Sequence, residues 1–256
     1  MDFTFSAIGV VHTPFREKFG IPRQPGLVSA AKGVIKVLDK PDLKTALRSL
    51  EEFSHLWIVF VFHEHGGKSW KPSIRPPRLG GSKKVGVLAS RSPHRPNPIG
   101  LSAVSIERID LEATGGPEIH VSGVDLLDGT PVLDLKPYIP YADSLPAANA
   151  GWASEPIERV TLAYTPEART TLRKLARPDL EAMITEVLEL DHEETEGSIL
   201  NQGDFLYYIP WGNVGFWYTT DPSTHAEDSL VLGNFEASLD ELEYLEGRDV
   251  TVEAVP

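Results

Sequence analysis

The chain of 256 residues contains no cysteine. That absence excludes disulfide frameworks, thiolate zinc sites, iron–sulfur clusters and cysteine nucleophiles, so any metal would rest on His, Asp or Glu. Nothing approaches the ~18 to 20 consecutive apolar residues of a membrane-spanning helix. The first residues, MDFTFSAIGVVHTPF, carry neither the basic start nor the small-residue cleavage site of a signal peptide. A cytoplasmic protein without a membrane partner is expected. No GxGxxG follows a strand-like run, which leaves the doubly wound dinucleotide fold without support, and no GxSxG elbow marks a hydrolase. Acidic residues are missing altogether between Glu64 and Glu107.

What is present divides by charge. The overall net charge of -13 argues at first against a nucleic-acid partner, because phosphates need Lys and Arg to replace their counterions. Residues 1–110, however, hold 17 Lys and Arg against 9 Asp and Glu, a surplus of +8, and residues 111–256 hold 7 against 28, or -21. The acid-free stretch supplies eight positive charges: Lys68, Lys71, Arg75, Arg78, Lys83, Lys84, Arg91 and Arg95. Such a stretch suits either a solvated basic face or an anionic partner.

Periodicity predicts a mainly β fold. The runs at 5–12, 33–38, 56–63, 84–90, 101–111, 118–127 and 131–139 are rich in β-branched and aromatic residues and bounded by Gly, Pro and Asp. Only PDLKTALRSLEEFS (41–54) has helical spacing among them, so a closed or strongly curved sheet is expected in preference to alternating βαβ units. Residues 140–156, rich in Pro, Ala and Ser, read as a linker. Beyond it come RVTLAYT and two helical candidates, PEARTTLRKLA and PDLEAMITEVLEL, each opened by a proline. The aromatic segment FLYYIPWGNVGFWY (205–218) suits the core of a small α/β domain, or less readily a stacking platform for bases. The domains expected are therefore 1–145, 157–220 and an acidic extension, 221–256.

The densest chemistry lies in RSPHRPNPIG (91–100). Its prolines fix φ and bias Ser92, Arg95 and Asn97 to extended conformations, so the polar side chains stand on a stiff connection between two strands. Gly100 is expected to give a flexible corner. Stiff polar loops on rigid sheets commonly hold ligands.

This stretch, with RQPGL (23–27), FSHLWIVFVFH (53–63), RPPRLGG (75–81) and DLLDGTPVLDLKPY (125–138), resembles the TsaA-like domain of the TrmO family. The resemblance spans roughly residues 5–145 in collinear order. It implies a β-barrel-like N-terminal domain with a small α/β C-terminal domain, a homodimer, and methyl transfer from S-adenosyl-L-methionine to N6 of threonylcarbamoyl-adenosine at position 37 of tRNA, in the anticodon loop. Residue by residue, it carries cofactor binding onto Gln24, Pro25 and Gly26, onto Phe62 and His63, onto Arg91 and Leu101, and onto Leu127, Asp128, Gly129 and Thr130. Asn97, Asp128 and Arg95 are the catalytic candidates.

The residue types suit that chemistry. Phe62 and Leu101 can wall an adenine, glycine backbone at Gly26 and Gly129 lets a ligand approach closely, and Arg91 can hold a carboxylate or phosphate in two hydrogen bonds. The N6 nitrogen needs a proton acceptor, for which Asp128, His63 and His94 are candidates, with Asn97 orienting. His63 and His65 flank Glu64, but no third ligand is evident and no metal is expected. A module that senses S-adenosyl-L-methionine without transferring its methyl group would use the same binding motifs.

Overall fold

The computed structural model describes residues 2–16, 20–64 and 70–157, and beyond them 159, 161–164, 169–170, 173, 178–190, 207–211, 214–220 and 229–232. Six strands close into an antiparallel barrel: β1 (Gly9–His12), β2 (Lys32–Val37), β3 (His55–Val61), β6 (Ile99–Asp110), β7 (Glu118–Ser122) and β8 (Thr130–Pro137). Their order around the barrel is β1-β2-β7-β6-β3-β8, returning to β1 through pairs such as Gly9↔Val132. Closure leaves no unpaired edge in this sheet.

Alternation along each strand sends one set of side chains inward. In β3, Leu56, Ile58 and Phe60 are buried, and Ile35, Val104, Ile119 and Val132 meet them from the other strands. Gly100 belongs to this core. It lies within β6 opposite Phe60, and a Cβ there would stand 2.1 Å from that ring. The glycine is thus a seat for Phe60, where sequence reasoning expects a corner: the ring occupies the volume that any side chain would need.

Two other expectations change. The helix expected over 41–54 is split into α1 (Pro41–Ala46) and a 3-10 turn (Leu50–Glu52) by Ser49, whose φ of 64° turns the chain toward β3. The strand expected over 84–90 shrinks to β5 (Val85–Gly86), paired with β4 (Ser73–Ile74), followed by a 3-10 turn at Val87–Ala89. Pro72, Pro76, Pro77 and Pro93 surround this small ribbon, and prolines have no N–H with which to extend a ladder.

The expected linker is fastened to the barrel. Its short helix α2 (Pro140–Asp143) accepts a hydrogen bond from Trp57 Nε1 at Asp143 Oδ2 (3.1 Å), and Trp152 Nε1 donates to the Ala89 carbonyl (3.0 Å). Beyond it, β9 (Thr161–Tyr164), β10 (Tyr207–Trp211), β11 (Val214–Thr220) and β12 (Ser229–Leu232) form a second sheet in the order β10-β11-β12-β9. Since β12 lies past residue 220, the sheet runs into the segment expected to be an extension. Residues 236–256, expected to be a short helix or tail, lie outside the described residues, as does most of 166–176.

Helix α3 (Pro178–Leu190) joins the two parts. Leu180, Met183, Ile184, Val187 and Leu188 recur at helical spacing and are buried in one apolar cluster with the barrel residues. At its surface, Glu186 accepts hydrogen bonds from Ser29 Oγ (3.1 Å) and the Ala30 N–H (3.3 Å). Arg159 donates to the Leu27 carbonyl (2.8 Å) and pairs with Glu189 (3.1 Å).

Candidate functional site

The barrel end where β3 finishes and β8 begins carries a cavity of about 210 Å³, lined by Ile21, Phe60, Phe62, His63, Glu64, Pro93, Asp125, Leu126, Leu127 and Thr130. Three segments distant in sequence meet there because β3 and β8 are antiparallel neighbours, so the residues after one lie beside those before the other. Phe60 and Phe62 pack edge to face with centroids 5.0 Å apart. The Gly100 seat therefore also sets the position of the cavity's aromatic wall.

Of the residues expected from sequence, Phe62, His63, Leu127 and Thr130 line this cavity directly. Arg91 donates a hydrogen bond to the side-chain amide oxygen of Gln24, Oε1, which ties the proline-rich loop to the first motif. Gly26 donates its N–H to the Gly123 carbonyl (2.9 Å), and both glycines have positive φ, 77° in each case. Gly123 also lacks room for a side chain, because its Cβ would stand 3.2 Å from Gly26 Cα. At Gly26 and Gly129, by contrast, no heavy atom lies within 4 Å of where a Cβ would be, so the backbone is open to a ligand.

Other candidates face elsewhere. Asp128 Oδ1 accepts the Thr13 N–H (3.0 Å) and lies 3.3 Å from His12 Nδ1, which pins the 125–130 turn to the first strand. Arg95 donates to the Ser90 carbonyl (2.9 Å), bracing the loop from within. Asn97 is exposed, and its carbonyl accepts the Ile99 N–H (2.7 Å). The His94 carbonyl accepts the Lys71 N–H (3.0 Å), joining the loop to the basic segment. Leu101 lies between inward Gly100 and Ser102 in β6, so its side chain projects from the outer wall and is 54% exposed. A larger and more open cleft of about 530 Å³, lined by residues including His12, Lys32, Arg108 and His120, contains none of the expected site residues.

Asp125 and Ser102 were not among the sequence candidates. Ser102 is buried inside the barrel and donates to Asp125 Oδ1 at 2.6 Å, while Asp125 lines the cavity. Burial pushes the Asp125 carboxyl up to about 6; the Ser102 hydrogen bond, its own backbone amide and the Arg91 charge pull it the other way. The signal in sequence was a serine at an inward position of an otherwise apolar strand. A buried hydroxyl requires a partner.

These features fit a nucleoside-bearing cation with a carboxylate end: an aromatic wall, open glycine backbone, a buried carboxyl and a guanidinium. Fold and cavity together define a ligand-binding barrel, distinct from the doubly wound sheets that bind nucleotides at their switch points. Comparison with known proteins narrows the class. The family model for the tRNA-methyltransferase O N-terminal domain matches residues 10–144, and one for the cyclophilin-like family matches residues 171–254. The tRNA (adenine(37)-N6)-methyltransferase of Escherichia coli K12 is 45% identical over 192 residues, 74% of this chain and 81% of that protein. A probable S-adenosyl-L-methionine-binding protein of Pyrococcus abyssi is 36% identical over 159 residues, 62% of this chain and 80% of that protein. The crystal structure of TrmO from Pseudomonas aeruginosa matches with a TM-score of 0.72 at 31% identity, covering 91% of this chain and 97% of that one. The chain belongs to the TrmO family.

Proposed function

We propose that the chain is an S-adenosyl-L-methionine-dependent tRNA methyltransferase acting on N6 of adenosine 37. The observation that carries this reading is the meeting of Phe62–His63 and Leu127–Thr130 in one cavity, with Arg91 and Gln24 joined beside it. The methyl donor is S-adenosyl-L-methionine; Phe62 would wall its adenine, the backbone at Gly26 and Gly129 would approach it closely, and Arg91 would hold its carboxylate. His63, Leu127 and Thr130 complete the wall, and Pro25 stiffens the first cofactor-binding motif. Asn97 orients the nucleoside from the exposed loop, and Arg95 and Asp128 hold the loop and turn that frame the reacting atoms. Rigid framing matters because transfer demands in-line approach of nitrogen to methyl carbon, where positioning is worth as much as ~7 to 11 kcal/mol.

The accepted base is threonylcarbamoyl-adenosine in the anticodon loop, read by the basic segment. Among the described residues, Lys71, Arg75, Lys83 and Lys84 are exposed and form no ion pair. Their charge is thus available to phosphates. The enzyme works in the cytoplasm, where no helix of the described residues is long and apolar enough to cross a membrane. Residues 1–145 form the catalytic domain, and the C-terminal domain begins near 157 and continues past 220 through β12.

The exposure of Leu101 supports a homodimer. The family resemblance places this residue at the donor, yet it projects outward with Ile99, which is also exposed. The cavity is smaller than the ~300 to 1,000 Å³ usual for small-ligand sites. A second copy seated on the β3–β6 outer wall would cover this face and let Leu101 close the site across the interface.

Purified protein incubated with methyl-labelled donor and tRNA bearing the threonylcarbamoyl group should place label in the nucleoside, and tRNA lacking that group should take up little. Donor binding without transfer would instead support a sensor. The affinity for tRNA should fall about tenfold or more between 50 and 200 mM salt, as expected for several phosphate contacts; indifference to salt would remove the basic segment from the interface.

A further inference from the structure

The methyl acceptor is a weak nucleophile. The N6 electron pair is delocalised into the purine ring, and further into the carbamoyl group where one is present, so its proton must leave as the new bond forms. A proton acceptor has to open into the cavity, be held in place and carry charge near neutral pH. Asp128 directs Oδ1 at the Thr13 N–H and His12. Glu64 is 57% exposed, and its carboxylate lies 3.7 Å from His63 Nε2. Asp125 differs from both. It lines the cavity beside Phe62 and Thr130, as Glu64 also does, but its side chain is anchored at one oxygen by a serine that is 1% exposed.

We propose that Asp125 is the group that accepts the N6 proton during methyl transfer, fixed in place by Ser102. This assignment rests on the methyltransferase reading above. As the N6 electron pair forms a bond to the methyl carbon, the carbon–sulfur bonding pair returns to the donor's sulfur, leaving a neutral thioether. The proton passes from N6 to the Asp125 carboxylate, which is left as the neutral acid and later releases the proton to water. Positive charge on the donor is lost and the negative charge on Asp125 is quenched in the same step, so no net charge is left stranded in the cavity.

The groups facing Asp125 explain its suitability. Burial raises its carboxyl to about 6, against the pull of the Ser102 hydrogen bond and of the Arg91 guanidinium. Arg91 is itself held by Gln24, and His63 and Glu64 line the same cavity. Such a carboxyl is ionised at pH 7 yet binds a proton more readily than an ordinary aspartate, as a general base near neutrality requires.

The test is single-turnover transfer of labelled methyl to tRNA from about pH 5 to 8, with wild type, Asp125→Asn, Ser102→Ala and His63→Gln. In the wild type, the rate should rise with pH and level off above a limb near 6. Asp125→Asn should lose about a hundredfold in rate together with the limb, a loss at saturating donor that exceeds any rise in donor Kd measured by calorimetry. Ser102→Ala removes a hydrogen bond that favours the charged carboxylate, so its limb should move up by about one pH unit. Carbon-13 NMR of the donor-free protein should show one aspartate carboxyl titrating near 6 that vanishes in Asp125→Asn. Folding is not the weak point. A raised carboxyl pKa means that the native state takes up a proton the unfolded chain has already released, so stability falls as pH rises from about 4 toward 6. Asp125→Asn should therefore unfold no more easily than wild type at pH 8.

Three results of the transfer and binding assays would overturn the assignment: an unchanged rate in Asp125→Asn, a loss confined to donor affinity, or a limb kept by Asp125→Asn and abolished in His63→Gln. A donor-free carboxyl titrating in the ordinary aspartate range would do so too. If the wild type transfers no methyl, the methyltransferase reading fails and the assignment falls with it, which separates that failure from the others.

Discussion

The barrel and the C-terminal unit are both β-rich, yet they are built and used differently. The barrel closes on itself through antiparallel neighbours only, so every strand is fixed on two sides. The C-terminal sheet is open, with β9 and β12 paired in parallel and distant in sequence. The residues suited to chemistry stand on the barrel's turns and its proline-rich loop. The C-terminal unit reaches them at one remove, through Arg159 on the Leu27 carbonyl and Glu186 on Ser29 and Ala30. That segment directly follows Gln24–Gly26. One region makes the site, and the other steadies a single strap of it.

The sharpest break in this comparison should come from Gly100→Val. A Cβ bearing two methyl groups would have to displace the Phe60 ring from a closed barrel, costing about 3 kcal/mol or more, with urea unfolding as the measure. A cost below 1 kcal/mol would show that the aromatic wall has room to move.

Next in size is Arg91→Ala. Transfer should fall more than tenfold, and unfolding should be nearly unaffected because Arg91 is exposed and off the core. Asn97→Ala should behave likewise, and full activity in both variants would remove the loop from the site.

The smallest effect should belong to the C-terminal unit. Glu186→Ala frees Ser29 and Ala30 without touching the cavity, so the donor KM should rise about threefold with kcat kept, in line with losing a part-exposed hydrogen-bonded contact of about 0.6 kcal/mol. A fall in kcat as large as that of Arg91→Ala would erase the distinction between the regions.

Much of the barrel was legible in advance. Alternating runs bounded by Gly, Pro and Asp located β2, β3, β6 and β8 to within two residues, because a strand with one buried face must repeat every second residue, whereas β1 begins four residues later and β7 ends five residues earlier than their runs. The ribbon at 73–86 was less legible, since its apolar residues sit among prolines that cannot donate to a ladder. At the site, the glycines and Arg91 were visible as residue types, but their partners were not. Arg91 meets Gln24 across 67 positions of sequence, and Ser102 in β6 meets Asp125 in the loop between β7 and β8.

The sequence by itself determined that the chain has a mainly β lobe with a stiff basic loop, since proline geometry, alternation and charge are local properties that every residue carries into the fold. The tertiary structure alone decided which of the cavity's carboxyls is anchored by a buried serine, which glycine makes room for an aromatic ring, and that Leu101 faces outward. Those outcomes depend on strand register and barrel closure, and a shift of one residue in register would exchange the inner face for the outer one.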